Sequence, residues 1–256
     1  MDKFFYDKIF NIFFPNKCGF CGNITGNSTY VCKNCQSLKY ISDANHCILC
    51  GRKVYTENNI CKDCSTKKVY YDKLIYFGEY KDVIKSRLLA YKFSDSSYLY
   101  NFFAEILSVK LLPENADIIS TVPISKLRMK ERGYNQSELI GKKVSKYLGK
   151  QYKNLLIKTH ETLRQSELNK SDRLINIKNS FTIKPNSDIE GKNIILIDDI
   201  FTTGATANEC SKILKKAGAK SVIVAVIAIS TNGWLQKPQY ERLFSMFKKR
   251  KFLKKL

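Results

Sequence analysis

Beyond residue 70, short apolar runs alternate with segments in which apolar residues recur at helical spacing. Strands are predicted at residues 73–80, 117–123, 194–197 and 222–229, and the last of these is an unbroken run of eight apolar residues. The predicted helices are a segment with Val83, Ile84, Leu88 and Tyr91 on one face, residues 98–112, a segment with Leu139, Ile140, Val144, Tyr147 and Leu148 on one face, and residues 205–217. Strands that are apolar on both faces and alternate with helices form mostly parallel sheets covered on both sides. The pattern therefore predicts an α/β fold.

The apolar runs are too short to cross a membrane. The longest has eight residues, whereas a spanning helix needs about 18 or more. The aromatic N-terminus is interrupted by Asp2, Lys3, Asp7 and Lys8 and has no small-residue cleavage site, so it does not resemble a signal peptide. We expect a cytoplasmic protein without a membrane span.

Cysteine residues concentrate between positions 18 and 64. Eight of the nine occur there as CxxC pairs, and the run C-G-F-C-G…C-K-N-C is followed 29 residues later by C-I-L-C-G…C-K-D-C, with ten residues between the pairs of each copy. A CxxC pair forms a tight turn whose two thiolates converge on one cation, and two such turns complete a closed tetrahedral site. Without a secretion signal, these pairs indicate metal ligation rather than disulfides.

We expect about two structural four-cysteine sites, holding zinc or, more rarely, iron. The repeat favours pairing within each copy, and the spacing alone also allows an interleaved arrangement. The predicted ligands are Cys18, Cys21, Cys32, Cys35, Cys47, Cys50, Cys61 and Cys64.

The charge of the chain is strongly positive. Lys+Arg number 44 against 23 Asp+Glu, a formal net charge of +21 over 256 residues. Such a charge attracts phosphate-rich partners such as nucleic acid or phosphorylated metabolites. The alternative is that it only keeps the protein soluble. Lys142, Lys146 and Lys150 form a predicted basic stripe beside the apolar face of their helix, and the segment 248–256 holds six basic residues.

The most specific motif is I-I-L-I-D-D-I-F-T-T-G-A-T, residues 194–206. Two acids at the carboxyl end of a strand, followed by a Thr/Gly loop that opens a helix, are typical of a sugar-phosphate site. The loop amides and the helix N-terminus bind the phosphate, while Asp198 and Asp199 accept hydrogen bonds from ribose hydroxyls. An acidic helix cap alone would explain only one Asp and one Thr. The predicted phosphate ligands are Thr202, Thr203, Gly204, Ala205 and Thr206.

This element resembles the phosphoribosyl-pyrophosphate signature of type I phosphoribosyltransferases, and two further motifs resemble the ComF family. One is V-P-I-S-K-L-R-M-K-E-R-G-Y-N-Q, residues 122–136, and the other comprises Thr162, Gln165, Leu168, Arg173, Asn176, Ser180 and Phe181. Phe14-Pro15 before the first CxxC pair is a further match. The resemblance extends to about Ser230 and covers both the cysteine repeat and the α/β part.

The resemblance implies a type I phosphoribosyltransferase-like sheet, preceded by a double zinc ribbon, with a ligand cleft at the carboxyl ends of the strands. It implies a pyrophosphate loop containing Val122, Pro123, Ile124, Arg128 and Arg132, and a mobile loop containing Thr162, Gln165, Arg173 and Asn176. The family often has Arg where this chain has His160, a weaker cation. The expected organisation is an aromatic segment at 1–15, the double ribbon at 16–68, the phosphoribosyltransferase-like domain at 72–232 and a basic tail at 233–256.

Two functions are compatible with these residues. One is the role implied by the ComF resemblance, in which the protein binds phosphoribosyl pyrophosphate and single-stranded DNA during natural transformation, with a helicase-like or DNA-processing partner. The other is a phosphoribosyltransferase that moves phosphoribosyl to a nitrogenous base, with Mg²⁺ bound to the pyrophosphate of the donor. No base pocket is recognisable in the sequence, so the acceptor stays open.

Overall fold

A computed structural model describes residues 15–25, 29–36, 45–55, 57–93, 96, 98–159, 177 and 179–230 of the chain. In chain order its elements are α1 (Lys33–Gln36), α2 (Lys62–Ser65), β1 (Lys73–Glu79), α3 (Asp82–Phe93), α4 (Leu99–Leu111), β2 (Ile118–Thr121), α5 (Lys126–Arg132), α6 (Gln136–Leu148), β3 (Gln151–Tyr152), β4 (Leu156–Lys158), β5 (Phe181–Ile183), β6 (Asn193–Phe201), α7 (Ala205–Lys216) and β7 (Ser221–Ile229). Within these residues no helix is long and apolar enough to span a membrane.

The central sheet has five strands in the order β1-β7-β6-β2-β3, and every neighbouring pair is parallel. The strands β4 and β5 form a separate antiparallel pair. The predicted parallel α/β fold is therefore confirmed. It follows from the apolar runs of β6 and β7, which only a sheet covered on both faces can bury.

The strand β6 is longer than its apolar pattern predicts. The pattern indicates residues 194–197, whereas β6 pairs with β7 up to Phe201↔Ile229. The acidic pair Asp198-Asp199 therefore lies within β6, where β7 still runs beside it. On the other side β2 ends at Thr121, opposite Ile197, so the strand edge beyond Ile197 faces the loop after β2. This uneven pairing places polar residues inside a strand that the apolar run alone would end earlier.

Helices cover both faces of the sheet. The first face packs against α3, α4 and α6, and residues such as Leu88, Phe103 and Ile140 are buried there. The second face packs against α7, through residues such as Cys210 and Leu214. The strands β2 and β6 are neighbours in the sheet. From β2 the chain crosses through α6 to β3 on one side, and from β6 it crosses through α7 to β7 on the other side. This pair is the topological switch point, where open α/β sheets bind ligands.

The cysteine repeats pack on opposite faces of the sheet. We call residues 15–36 the first ribbon and residues 45–65 the second ribbon. Phe20 of the first ribbon joins the core of the first face and contacts Phe102 of α4, with ring centroids 4.7 Å apart. Leu49 of the second ribbon packs against the core of the second face. The Leu74 amide of β1 donates to the carbonyl oxygen of Ile48 at 2.7 Å, which ties the second ribbon to the edge strand.

Candidate functional site

Each four-cysteine cluster is formed within one copy of the repeat. In each cluster the Sγ atoms all lie within 4.8 Å of one another; the members are Cys18, Cys21, Cys32 and Cys35 in the first ribbon, and Cys47, Cys50, Cys61 and Cys64 in the second. The pairing that the repeat favours is thus the one observed, and the interleaved arrangement is not.

Both clusters fit zinc in their donor set and size. Zn–S bonds of about 2.3 Å in a tetrahedron place neighbouring sulfur atoms about 3.8 Å apart. The observed Sγ–Sγ distances are 3.7 Å between Cys21 and Cys32 and 3.6 Å between Cys50 and Cys61. The Cys61 amide donates to the Sγ atom of Cys47 at 3.3 Å, and the first cluster has the equivalent bond at 3.4 Å. Closed four-thiolate sites of this kind stabilise a fold rather than catalyse a reaction.

The acidic pair lies at the switch point, next to the loop that follows β2. The Val122 amide donates to the carbonyl oxygen of Ile197 at 3.0 Å, so the residues after β2 lie directly beside Asp198. The Oδ1 atom of Asp198 accepts from the hydroxyl of Ser137 at 3.1 Å and from the Asp199 amide at 2.9 Å. The structure thus brings together the acidic pair and the predicted pyrophosphate loop.

The two carboxylates differ in their electrostatic surroundings. The Oδ2 atom of Asp199 lies 2.6 Å from Nζ of Lys92 on α3, and both side chains are 16% exposed. Removal from water, followed by the neighbouring charge of Asp199, raises the pKa of Asp198 to about 7. Asp199 is therefore neutralised by an ion pair, whereas Asp198 gains or loses a proton near neutral pH. Near neutral pH the pair can accept hydrogen bonds from sugar hydroxyls, and the protonated form of Asp198 can also donate one.

The predicted phosphate loop, residues 202–206, follows β6 and runs into the first turn of α7. Gly204 has φ +78°, and a Cβ atom there would lie 2.5 Å from the ring of Phe201. Both the left-handed backbone and the close ring require glycine at this position. Since the first N–H groups of a helix have no partner within the helix, a loop that opens the twelve-residue α7 is suited to bind an anion.

The predicted pyrophosphate loop is shaped by the E-R-G-Y-N-Q motif. Asn135 caps α6 by accepting from the Ser137 amide at 3.1 Å, and its Nδ2 atom donates to the carbonyl oxygen of Val122 at 3.1 Å. Arg132 donates to Oε1 of Gln136 at 3.1 Å and is half-buried beside Phe93, at 5.6 Å from the ring centroid. Burial lowers the pKa of Arg132, while the charge of Asp199 opposes this shift. The motif thus holds one cation close to the acidic pair.

Pro123 and Ile124 are half-buried between β2 and α5. Arg128 lies in the first turn of α5, where its amide donates to Oγ of Ser125 at 3.3 Å. The predicted mobile-loop residues Thr162, Gln165, Arg173 and Asn176 lie outside the described residues, as do His160 and the basic tail. Lys142 and Lys146 are exposed on α6, but Lys150 follows the helix, because α6 ends at Leu148.

Sequence reasoning missed Lys92 and Ser137, which contact the acidic pair directly. Lys92 lies four residues after Leu88 and eight after Ile84, so it falls on the buried stripe of α3. A lysine on an apolar stripe signals a buried ion pair. Ser137 is buried in the first turn of α6 and carried no comparable signal.

The fold and this site define a class of protein that the family comparisons identify. Residues 103–252 match the phosphoribosyl transferase domain family, and residues 9–65 match the double zinc ribbon domain. The chain therefore belongs to the phosphoribosyl transferase domain family and contains a double zinc ribbon.

Curated relatives confirm the resemblance to ComF proteins. Competence protein F of Haemophilus influenzae is 28% identical over 225 residues, which are 83% of this chain and 96% of that protein. Competence protein ComFC of Streptococcus pneumoniae is 38% identical over 143 residues, 56% of this chain and 62% of that protein. The DNA utilization protein YhgH of Escherichia coli K12 is 27% identical over 162 residues, 60% of this chain and 70% of that protein.

Proposed function

We propose that this protein is a ComF-type competence factor that binds phosphoribosyl pyrophosphate and single-stranded DNA during DNA uptake. The observation that carries the proposal is the position of the acidic pair and the phosphate loop at the switch point of a phosphoribosyl transferase fold. The names of the relatives support it, since they refer to competence and to DNA utilization. We further propose that the protein acts in the cytoplasm with a helicase-like or DNA-processing partner.

In the proposed complex the phosphate loop binds the 5′-phosphate, and the acidic pair accepts hydrogen bonds from the ribose hydroxyls. The loop with Val122, Arg128 and Arg132 binds the pyrophosphate, because a guanidinium can donate to two phosphate oxygens at once. Mg²⁺ bound to the pyrophosphate would neutralise part of its charge.

Replacing both Asp198 and Asp199 by Ala should weaken binding of phosphoribosyl pyrophosphate. We expect a loss of roughly 1–3 kcal/mol for each hydrogen-bonding group, because ribose hydroxyls would be left unpaired in a partly dry site. Calorimetric titration measures the effect. The matched control replaces Asp117 and Asp188, which precede β2 and β6, and should bind as the wild type does. Equal affinities of the wild type and the Asp198/Asp199 variant would contradict the proposed site.

Exposed lysines on α6 and just after it form the proposed contact with DNA. Lys146 and Lys150 are exposed, and Lys142 lies 2.7 Å from Glu138. Tyr147 is 44% exposed, and its ring lies beside Lys143. Lysines supply salt-dependent contacts to phosphates, and an exposed tyrosine can stack on a base.

Replacing Lys142, Lys146 and Lys150 by Gln should reduce the salt dependence of binding to a labelled oligonucleotide. Each lost phosphate contact lowers the slope of log affinity against log salt by ~0.7 for single strands. The control carries Gln at Lys184, Lys216 and Lys220, exposed lysines at and around α7 on the second face. Deleting residues 248–256 should also reduce the slope. A slope unchanged by both the three lysine substitutions and the deletion would remove DNA binding from the proposal.

The second candidate function is phosphoribosyl transfer, favoured by the presence of both acidic residues and the whole phosphate loop. In this reaction a base nitrogen bonds to the anomeric carbon as the bond to pyrophosphate breaks, and pyrophosphate leaves. Incubation of the protein with phosphoribosyl pyrophosphate and a panel of bases or oligonucleotides, followed by measurement of released pyrophosphate, separates transfer from binding alone.

A further inference from the structure

A cavity of about 120 Å³ lies between the second ribbon and the phosphate loop. One wall consists of Phe201 to Ala205 and of Asn208 on α7, while the opposite wall comes from the second ribbon and the segment after it. A water molecule needs ~10–15 Å³ of such space, so the cavity has room for a phosphate group and several waters. Among the described residues of the first ribbon, none lines this cavity.

The wall formed by the second ribbon is fastened to the elements that carry the phosphate loop. Asn208 donates to the carbonyl oxygen of Lys68 at 3.1 Å and accepts from the Tyr70 amide at 2.8 Å. The hydroxyl of Tyr71 donates to the carbonyl oxygen of Leu49 at 2.6 Å. A movement of the second ribbon would therefore alter the cavity next to the phosphate loop.

Basic residues outnumber acidic ones on this wall. Arg52, Lys67 and Lys68 line the cavity together with Asp63, which lies 2.7 Å from Nη1 of Arg52. A guanidinium has five N–H donors, so it can contact a carboxylate and a phosphate oxygen at the same time. Two cysteines of the second cluster also line the cavity, and four thiolates around a divalent zinc ion carry a net charge of roughly −2. The positive charges of Arg52, Lys67 and Lys68 therefore offset the repulsion between this cluster and a phosphate in the cavity.

We propose that the second ribbon is part of the phosphate site, and that Arg52, Lys67 and Lys68 bind the phosphomonoester held by residues 202–206. This inference rests on the proposed binding of phosphoribosyl pyrophosphate and extends it, because it assigns a ligand-binding role to one ribbon and none to the other. The source of the phosphomonoester is the 5′-phosphate of the sugar phosphate.

The test replaces Arg52 by Asn, the residue that the first ribbon has at the equivalent position, Asn23. Binding of ribose 5-phosphate and of phosphoribosyl pyrophosphate to the full-length, zinc-loaded protein is measured by calorimetry. Arg52→Asn should bind both about tenfold more weakly, as expected for the loss of one charge-assisted hydrogen bond. Lys53→Asn is the matched control, because Lys53 is an exposed neighbour outside the cavity lining. It removes the same charge and should change affinity less than about twofold.

Equal affinities of the wild type and Arg52→Asn, with weaker binding by the Asp198/Asp199 variant, would overturn this inference and leave the proposed function standing. Failure of the wild type to bind either ligand would overturn both. Where Arg52→Asn loses zinc, the Lys67→Gln/Lys68→Gln variant carries the test with the same expected loss. Oligonucleotides with and without a 5′-phosphate form the second arm. A 5′-phosphate preference that depends on Arg52, without any effect on ribose 5-phosphate, would assign the cavity to a DNA end and refute the sugar phosphate.

Discussion

The two ribbons have the same internal structure and different neighbours. In the first ribbon the Cys18 amide donates to the carbonyl oxygen of Asn23 at 2.7 Å, and in the second the Cys47 amide donates to that of Arg52 at 2.7 Å. The bonds that close the first CxxC turn of each ribbon, from Gly22 and from Gly51, are both 2.8 Å long. Yet one ribbon lies on the first face of the sheet against α4, and the other lies on the second face beside the phosphate loop.

The residues between the cysteines make these different contacts. Gly19 in the first ribbon corresponds to Ile48 in the second. A Cβ atom at Gly19 would clash with the ring of Phe102, so glycine is what allows α4 to approach. At the equivalent position Ile48 instead uses its carbonyl oxygen to extend the hydrogen bonding of β1. The cysteines form the clusters, and the residues beside them make the contacts with the rest of the molecule.

The first ribbon is docked by a carboxylate as well. Glu105 of α4 accepts from the hydroxyl of Thr29 and from the Tyr30 amide, both at 2.7 Å. Arg87 of α3 donates to the carbonyl oxygen of Phe20 at 2.9 Å. These contacts join the first ribbon to the helices that cover the sheet, one of which also carries Lys92. The first ribbon therefore supports the helical layer, whereas the second lines a cavity.

Removing thiolates should have the largest effect and should separate the ribbons by function. Cys32→Ser/Cys35→Ser and Cys61→Ser/Cys64→Ser each remove half of one cluster, and each should lose one of about two zinc ions per chain. Since zinc supplies folding free energy on the order of 10 kcal/mol, the affected ribbon should unfold. The α/β domain should stay folded in both variants, because most of its core lies outside the ribbons. Metal analysis, circular dichroism and calorimetry with ribose 5-phosphate measure these outcomes.

Only the variant of the second cluster should lose affinity for ribose 5-phosphate. Equal affinities of the two cysteine variants would break the functional comparison between the ribbons. A chain that stays fully folded after exhaustive chelation would refute the structural role of zinc in both.

A matched pair of glycines should give an intermediate effect. Gly22 and Gly51 occupy equivalent positions with φ +81° and +75°, so alanine is strained by ~1–2 kcal/mol at either one. A Cβ atom at Gly22 meets nothing within 4 Å, whereas at Gly51 it would lie 2.6 Å from Cδ1 of Ile229. We expect Gly51→Ala to lower the free energy of unfolding by ~1–3 kcal/mol more than Gly22→Ala, because it overpacks the contact with β7. Urea denaturation measures both; equal costs would mean that the second ribbon is loosely docked.

The smallest effect concerns pH and the acidic pair, which the ribbons approach from opposite sides. The first ribbon contacts α3, which carries Lys92. The second ribbon lines the same cavity as the loop that follows Asp199. The pKa of Asp198 is raised to about 7 by removal from water and by Asp199. Between about pH 4 and pH 7 the folded state therefore holds a proton that the unfolded chain has lost. The stability that Asp198 contributes through this proton is fully present below the pKa of the unfolded chain, and it is lost as the pH rises through about 7.

The free energy of unfolding should fall between pH 5 and pH 7 by about 1–2 kcal/mol more in the wild type than in Asp198→Asn, which is neutral throughout. Urea denaturation at several pH values gives both curves. Asp117 provides a control, because its pKa is shifted in the opposite direction to that of Asp198. Hydrogen bonds from Asn193 lower its pKa, so Asp117→Asn should change only the acidic part of the curve. Parallel curves for the wild type and Asp198→Asn would show that Asp198 is ionised throughout this range.

The sequence by itself determined the features that depend on neighbouring residues. Apolar runs of four residues in β6 and of eight residues in β7 predict strands that are buried on both faces. The repeat of the CxxC pairs favours one four-cysteine cluster in each copy, because such a cluster forms over a short stretch of chain. The order of Asp198, Asp199 and residues 202–206 specifies a strand, a loop and a helix, and with them the end of the sheet where ligands bind.

Only the tertiary structure decided which distant segments meet. The extension of β6 to Phe201 depends on how far β7 runs beside it. The pairing of Lys92 with Asp199 depends on where α3 crosses the sheet, and the packing of the two ribbons on opposite faces depends on Gly19 and Ile48 meeting different partners. The cavity shared by Arg52 and Thr203 joins residues about 150 positions apart. Local periodicity carries no information about such contacts, because they form only when helices and ribbons compete for the same apolar faces of one sheet.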